Sequence, residues 1–320
     1  DALGSFDLPY NQAPSLHIGL LVLIWAKFAG LRTGTGTRLL IHAWALLIGI
    51  SVVTTWQHHF IDIPTGAAVG LFCLWLWPDG DADSPFRHAP DARLGAPAAT
   101  YAIAALFACL AALAAGGIAW LLFWPALALL LVAFNYAWAG ANGFQKNAGR
   151  HSLAVRLLAA PYFLGARLNA RLWTRRDPFP DPLAEGVWLG PLQDAHNMHA
   201  GGYAALLDLT AELPAPRGNW RYANLPWLDL VAPTPSQLVE AAEHIEKLRG
   251  HGKLLVACAL GYSRSAAAAA VWLRLHGGAP TMAEAIARLR ARRPGVVLGP
   301  ALLDALAGAE RLVARRGRAD

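Results

Sequence analysis

Cys258 is followed after five residues by Arg264, in the run Cys258-Ala259-Leu260-Gly261-Tyr262-Ser263-Arg264-Ser265. The apolar stretch Lys253-Leu254-Leu255-Val256-Ala257 before it reads as a buried strand. The alanine-rich stretch from Ala266 to Leu275 after it reads as a helix. A cysteine and an arginine so spaced on a strand-loop-helix turn form a phosphate cradle with a built-in nucleophile. The backbone N–H groups of Ala259, Leu260, Gly261, Tyr262 and Ser263 can converge on an anion at the helix N-terminus. The same field favours the thiolate, which is the attacking species. Arg264 offers a planar fork to two phosphate oxygens. Ser265 can donate a hydrogen bond to the sulfur as nucleophile or as leaving group. An isolated cysteine is more often a buried small apolar residue; here the arginine, the glycine and the strand-helix setting agree on chemistry.

A second group of reactive side chains lies far away in sequence: Pro14-Ser15-Leu16-His17, then Ser51, then His58-His59-Phe60-Ile61-Asp62. A histidine nucleophile needs a carboxylate to orient its ring and stabilise the imidazolium, and a second histidine can protonate the leaving group.

The elements that must position these groups differ between the two halves. Hydrophobic residues make up 56% of the chain and charged residues 15%, and the mean hydropathy is +0.35. A soluble domain carries nearer 25% charge, so a membrane class is implied. Apolar runs place spans at His17 to Leu31, Leu39 to Trp56, Ile63 to Trp77, Leu94 to Ala115 and Ile118 to Trp138. The last two approach the ~20 residues a bilayer requires. Gly116-Gly117 makes the turn between them. With alternating spans, His17 and His58 reach one membrane face, while Lys27, Arg38, Arg87, Lys146, Arg150 and Arg156 reach the other. The positive-inside rule makes the basic face cytoplasmic. This predicts an integral protein of a bacterial inner membrane, with the thiol chemistry in a reducing compartment and the histidines on the periplasmic side.

The C-terminal part, from Leu183 to Val313, resembles the dual-specificity branch of the protein tyrosine phosphatases. Besides the cysteine loop, Val187-Trp188-Leu189-Gly190 looks like its first core strand. Leu206 to Glu212 looks like the next strand and its exit, and Asn224-Leu225-Pro226-Trp227-Leu228-Asp229 like the segment that carries the general acid. The resemblance implies that Cys258 attacks phosphorus, Arg264 holds the phosphoryl group, and Asp229 protonates the leaving oxygen. That family usually has His before the cysteine. Ala257 stands there instead, which removes one contributor to thiolate stability.

Residues Asp1 to Trp77 resemble the type-2 phosphatidic acid phosphatase superfamily, including its inositol-phosphorylceramide synthase-like branch. Pro14-Ser15-Leu16-His17 matches that superfamily's second motif, and Ser51 with His58 and Asp62 matches its third. The resemblance makes His58 the nucleophile, Asp62 its partner, His17 the acid, and Ser15 and Ser51 phosphate contacts. The Lys/Arg first motif is absent, and Val52 replaces an arginine. The chain starts at Asp1, next to the second motif, as a fragment missing earlier spans would.

The expected protein is therefore multi-domain. An all-α transmembrane helical domain spans residues 1–141, and a basic amphipathic juxtamembrane linker spans 142–180, either as a helix lying on the inner leaflet or as an ordinary basic connection. An α/β cysteine-phosphatase domain, a central sheet with helices on both faces, spans 181–320. The expected activity is phosphomonoester hydrolysis through a phosphocysteine, on a phosphoprotein or a phospholipid, at the lipid bilayer. The alternatives are a lipid phosphatase or headgroup transferase working through a phosphohistidine, and a non-catalytic phosphate-binding anchor. Cys73 and Cys109 read as packing residues. No metal, cofactor or nucleic acid is called for, and Asp79 to Asp83 reads as a solvated turn rather than a calcium loop.

Overall fold

The computed structural model describes residues 13–316, apart from 32, 55–58, 79–83, 90, 91, 93 and 185. His58 and the Asp79 to Asp83 turn thus lie outside the described residues.

The N-terminal half is helical: α1 (Leu16–Ala29), α2 (Thr35–Thr54), α3 (Asp62–Leu76), α4 (Ala96–Ala115) and α5 (Phe123–Phe134). Among the described residues, three helical stretches are long and apolar enough to cross a membrane: Thr35–Val52, Ala96–Ala115 and Gly117–Phe144. Helices α1 and α3 are shorter and apolar. These two pack nearly backbone to backbone. A Cβ on Gly66 would lie 2.5 Å from the Ser15 carbonyl oxygen, and one on Gly70 would lie 2.7 Å from that of Gly19. Small residues at such crossings are what apolar helices use when water supplies no drive to associate. The reversal after α4 needs Gly116, at φ 62°, and Gly117, at φ 53°.

Of the two readings of residues 142–180, the single helix is not what forms. These residues contain a hairpin of β1 (Lys146–Asn147) and β2 (Arg150–His151), then α6 (Leu153–Leu158) and α7 (Ala160–Thr174). Gly149, at φ 77°, turns the hairpin. Ser152 caps α6 by accepting from the Val155 N–H, and Pro161 restarts the chain as α7. Only α7 keeps the amphipathic character. Leu164, Leu168 and Leu172 form an exposed stripe along it. Lys146 points inward instead of toward headgroups.

The second half is an α/β domain. Its strands are β3 (Asp181–Ala184), β4 (Val187–Pro191), β5 (Ala205–Thr210), β6 (Arg221–Trp227) and β7 (Leu254–Cys258), and its helices are α8 (Ala195–Ala200), α9 (Pro235–Arg249), α10 (Arg264–Leu275), α11 (Met282–Arg292) and α12 (Pro300–Arg316). The sheet runs β3-β4-β7-β5-β6, with β3 antiparallel and the others parallel. Strand β7 is central and wholly buried, which explains its unbroken apolar sequence. Its residues alternate. Leu254, Val256 and Cys258 face the core built with α9, α10 and α12, while Leu255 and Ala257 face Met198 of α8 and Tyr203.

The two halves share one core. Trp75, Leu131, Val132, Tyr136, Phe144, Leu158 and Phe163 pack with Ala211 and Leu228 of the α/β domain. At the centre of the junction, Lys146 Nζ donates to Asp208 Oδ2 at 2.7 Å, to the Thr210 carbonyl at 2.7 Å and to Thr210 Oγ1 at 3.0 Å. Both charged side chains are fully buried. Removing one member of such a pair strands the other in a low dielectric. Lys146→Met is expected to lower unfolding stability in detergent by about 3–5 kcal/mol. Arg288→Met, which removes a surface pair with Glu284, is expected to cost under about 1 kcal/mol. Equal effects in chemical denaturation would contradict a coupled junction.

Candidate active site

The cysteine centre is built at the C-terminal end of β7. The parallel pairing of Pro191 with Cys258 and the Leu192 N–H bond to the Cys258 carbonyl at 2.9 Å fix the cysteine where the parallel strands end.

The loop then closes around the sulfur. The Gly261 N–H and the Ser265 hydroxyl each donate to Cys258 Sγ at 3.2 Å. Cys258 is only 2% exposed. Gly261 has φ 74°, and a Cβ there would collide with the backbone of Gly190 and Pro191. The loop can lie this close to β4 only because that residue is glycine.

Arg264 opens α10 and is 3% exposed. Its Nη1 and Nη2 make a bidentate pair with Glu212, at 3.0 and 2.6 Å, and Nη1 also donates to the Trp227 carbonyl at 2.8 Å. Asp229 Oδ1 lies 3.2 Å from Nη2, on a side chain that is 41% exposed. The acid expected from the sequence is therefore at the mouth of the centre, beside the arginine. Burial by itself would disfavour the Glu212 carboxylate. The Arg264 charge and its N–H donors outweigh that penalty and hold the carboxyl below its ordinary range. Burial likewise opposes charge on Arg264, and Glu212, Asp229 and Cys258 together keep it firmly cationic.

Arg293 supports the loop from behind. It is fully buried, and its Nε donates to the Gly261 carbonyl at 3.0 Å. Its other nitrogens reach Asp181 at 2.6 Å and Asp177 at 2.9 Å, and its guanidinium stacks 4.8 Å from the Tyr262 ring centroid. Sequence reasoning gave neither Glu212 nor Arg293 a role. Their spacing from Cys258 carries no local pattern; only the fold brings them in. Among the described residues, no cluster of His, Cys, Asp and Glu is placed to hold a metal.

The histidine motifs lie elsewhere. The Ser15 N–H donates to the Asp62 carbonyl at 3.3 Å, and Asp62 Oδ2 accepts from the His59 N–H at 2.9 Å. Ser15 and Asp62 are thus buried together where α1 and α3 begin. His17 is exposed on α1. Ser51 is exposed on α2, where its hydroxyl donates to the Ile48 carbonyl at 2.8 Å. Ser15, His59 and Asp62 thus meet at the N-terminal end of α3. Trp75, near the other end about 20 Å away by helix rise, joins the second half through its Nε1 bond to the Gly143 carbonyl at 2.9 Å.

No protein-family model matches the chain, and no curated protein matches it. Solved structures do. Human DUSP28 is 22% identical, over 42% of this chain and 99% of that one, with a TM-score of 0.39. Tk-PTP in its active form is 25% identical, over 42% of this chain and 98% of that one, with a TM-score of 0.38. PTPMT1 is 19% identical, over 44% of this chain and 100% of that one, with a TM-score of 0.39.

The depressed Glu212 carboxyl sets a pH signature. Its stabilisation is complete above the unfolded-state pKa of about 4.3 and is lost as pH falls through the lower folded value. The stability advantage of the wild type over Glu212→Gln is therefore expected to be constant near neutrality and to shrink as pH drops below about 4.3. An advantage that does not change with pH in urea titrations would contradict the ion pair.

Proposed function

We propose that this chain is a membrane-anchored phosphatase that hydrolyses phosphate monoesters through a phosphocysteine at Cys258. The observation that carries the reading is the sulfur held at 3.2 Å by both the Gly261 N–H and the Ser265 hydroxyl, with Arg264 and Asp229 paired beside it. A purely packing cysteine needs no such donors.

The chemistry runs in two displacements. The Cys258 thiolate attacks phosphorus, and a P–S bond forms as the ester P–O bond breaks. The bond's electron pair leaves on the ester oxygen, which takes a proton from Asp229. Water then attacks the phosphocysteine and gives a proton to Asp229. The P–S pair returns to sulfur, steadied by the Ser265 hydroxyl. The net reaction is ester plus water to alcohol plus inorganic phosphate. Arg264 and the loop amides neutralise charge on the equatorial oxygens in both steps. Glu212, with the Trp227 carbonyl, keeps the guanidinium in place.

The loop amides, Arg264 and Asp229 all belong to the α/β domain. The helical half supplies the anchor and, by the distribution of basic residues, puts this domain on the cytoplasmic side. A second reading assigns phosphohistidine chemistry to the membrane motifs, and what favours it is the meeting of Ser15 and Asp62 where α1 and α3 begin.

With p-nitrophenyl phosphate, Cys258→Ser is expected to abolish phosphate release. Asp229→Asn is expected to slow hydrolysis of an alkyl phosphate about 10²–10⁴-fold and to affect p-nitrophenyl phosphate far less, because nitrophenolate leaves without a proton. Undiminished turnover in Cys258→Ser would remove the cysteine from the mechanism.

A further inference from the structure

The catalytic loop opens into a cavity of about 340 Å³ that the two halves build together. Its floor includes Ala259, Leu260, Asp229 and Glu212 of the cysteine centre, and its walls come from α4, α5 and α7. Tyr101 of α4 and the pair Pro125 and Leu129 of α5 line it. Pro125 and Leu129 are four residues apart, hence on one helix face, so the cavity follows α5 for a full turn.

Helix α7 is shaped to leave that space. Tyr162, Gly165, Ala166, Asn169 and Ala170 line the cavity and recur at the spacing of a single helical face. Three of the five are glycine or alanine. A Cβ added to Gly165 would meet nothing within 4 Å. The leucine stripe of the same helix faces elsewhere, with Leu164 at 69% exposure. A helix that exposes leucines on one side and small residues on the other lies along an apolar medium while keeping a channel open beside it.

We infer that the cysteine centre acts on phosphate monoesters of membrane lipids, with the phosphate at Cys258 and the adjoining apolar chain in the cavity between α4, α5 and α7. This rests on the phosphatase reading above. The lining is mostly apolar, and a peptide threaded through it would leave backbone N–H and carbonyl groups unpaired; a hydrocarbon chain has none. The walls also belong to the helices that meet the bilayer. A lipid could enter from the side without leaving the membrane.

The test uses the full chain in detergent-free nanodiscs and compares linear alkyl phosphates of increasing length, a phosphotyrosine peptide and p-nitrophenyl phosphate. For the wild type, KM for the alkyl series is expected to fall about threefold or more per added methylene until the cavity is full. Gly165→Leu places a side chain in the open space and improves helix propensity, so folding is not the limiting concern. It is expected to raise KM for the long-chain esters at least tenfold relative to KM for p-nitrophenyl phosphate measured on the same variant. A KM independent of chain length, or a phosphopeptide turned over better than every alkyl phosphate, would overturn the lipid assignment and leave the phosphatase reading standing. A wild type inert toward all these esters would remove both.

Discussion

Two buried carboxylates near the C-terminal end of one strand organise this molecule. Asp208, within β5, and Glu212, just past it, are both buried, where an unpaired charge costs several kcal/mol, on the order of the effective penalty for a buried ion. Each is met by a cation from a different part of the chain. Lys146 comes from the hairpin after the helical half and takes Asp208. Arg264 comes from the end of the loop that follows β7 and takes Glu212. The first pair docks the halves, and the second fixes Arg264 beside Cys258 and Asp229. Tyr222, whose hydroxyl donates to Asp208 at 3.0 Å, and Asn224, which donates to the Asp208 carbonyl at 2.7 Å, complete the arrangement from β6.

This explains why the cysteine centre and the helices form a composite. The ion pair at the junction sets the hairpin against β5, and the chain then runs through α6 into α7, which passes over the catalytic loop. The cavity is a consequence of that path. Preorganisation of the loop is equally tertiary. Gly261 allows the close approach to β4, and Arg293 ties the loop carbonyl to Asp177 and Asp181 ahead of β4. Under the proposed phosphatase reading, donors held this way need no rearrangement when charge develops on phosphorus.

Much of this was legible in the sequence because it is local. The cysteine, its arginine and the flanking strand and helix lie within a short stretch whose periodicity changes from strand to helix at the loop. Apolar runs located the helices of the first half to within a few residues. Asp229 was marked by the segment around it, and it stands next to Arg264. The roles of Glu212, Lys146 and Arg293 were not legible, since each depends on a partner far away in sequence and none sits in a pattern that announces burial. The stretch 142–180 stayed open between helix and plain linker because arginines alternating with large apolar residues fit an amphipathic helix. Gly149, Ser152 and Pro161 were the breaks in that pattern, and they mark the hairpin and the starts of α6 and α7. The glycine and alanine face of α7 reads as ordinary helix composition until the cavity beside it is seen.

The central claim is that phosphate passes through the Cys258 sulfur. The most direct measurement is to denature the full chain in SDS at mildly alkaline pH during turnover of p-nitrophenyl phosphate, where phosphocysteine and phosphohistidine both survive, and to locate the retained phosphate by mass spectrometry. The account predicts phosphate on the peptide that carries Cys258, enriched in Asp229→Asn because activation of water is slowed. Phosphate found instead on a histidine of the N-terminal motifs would contradict it.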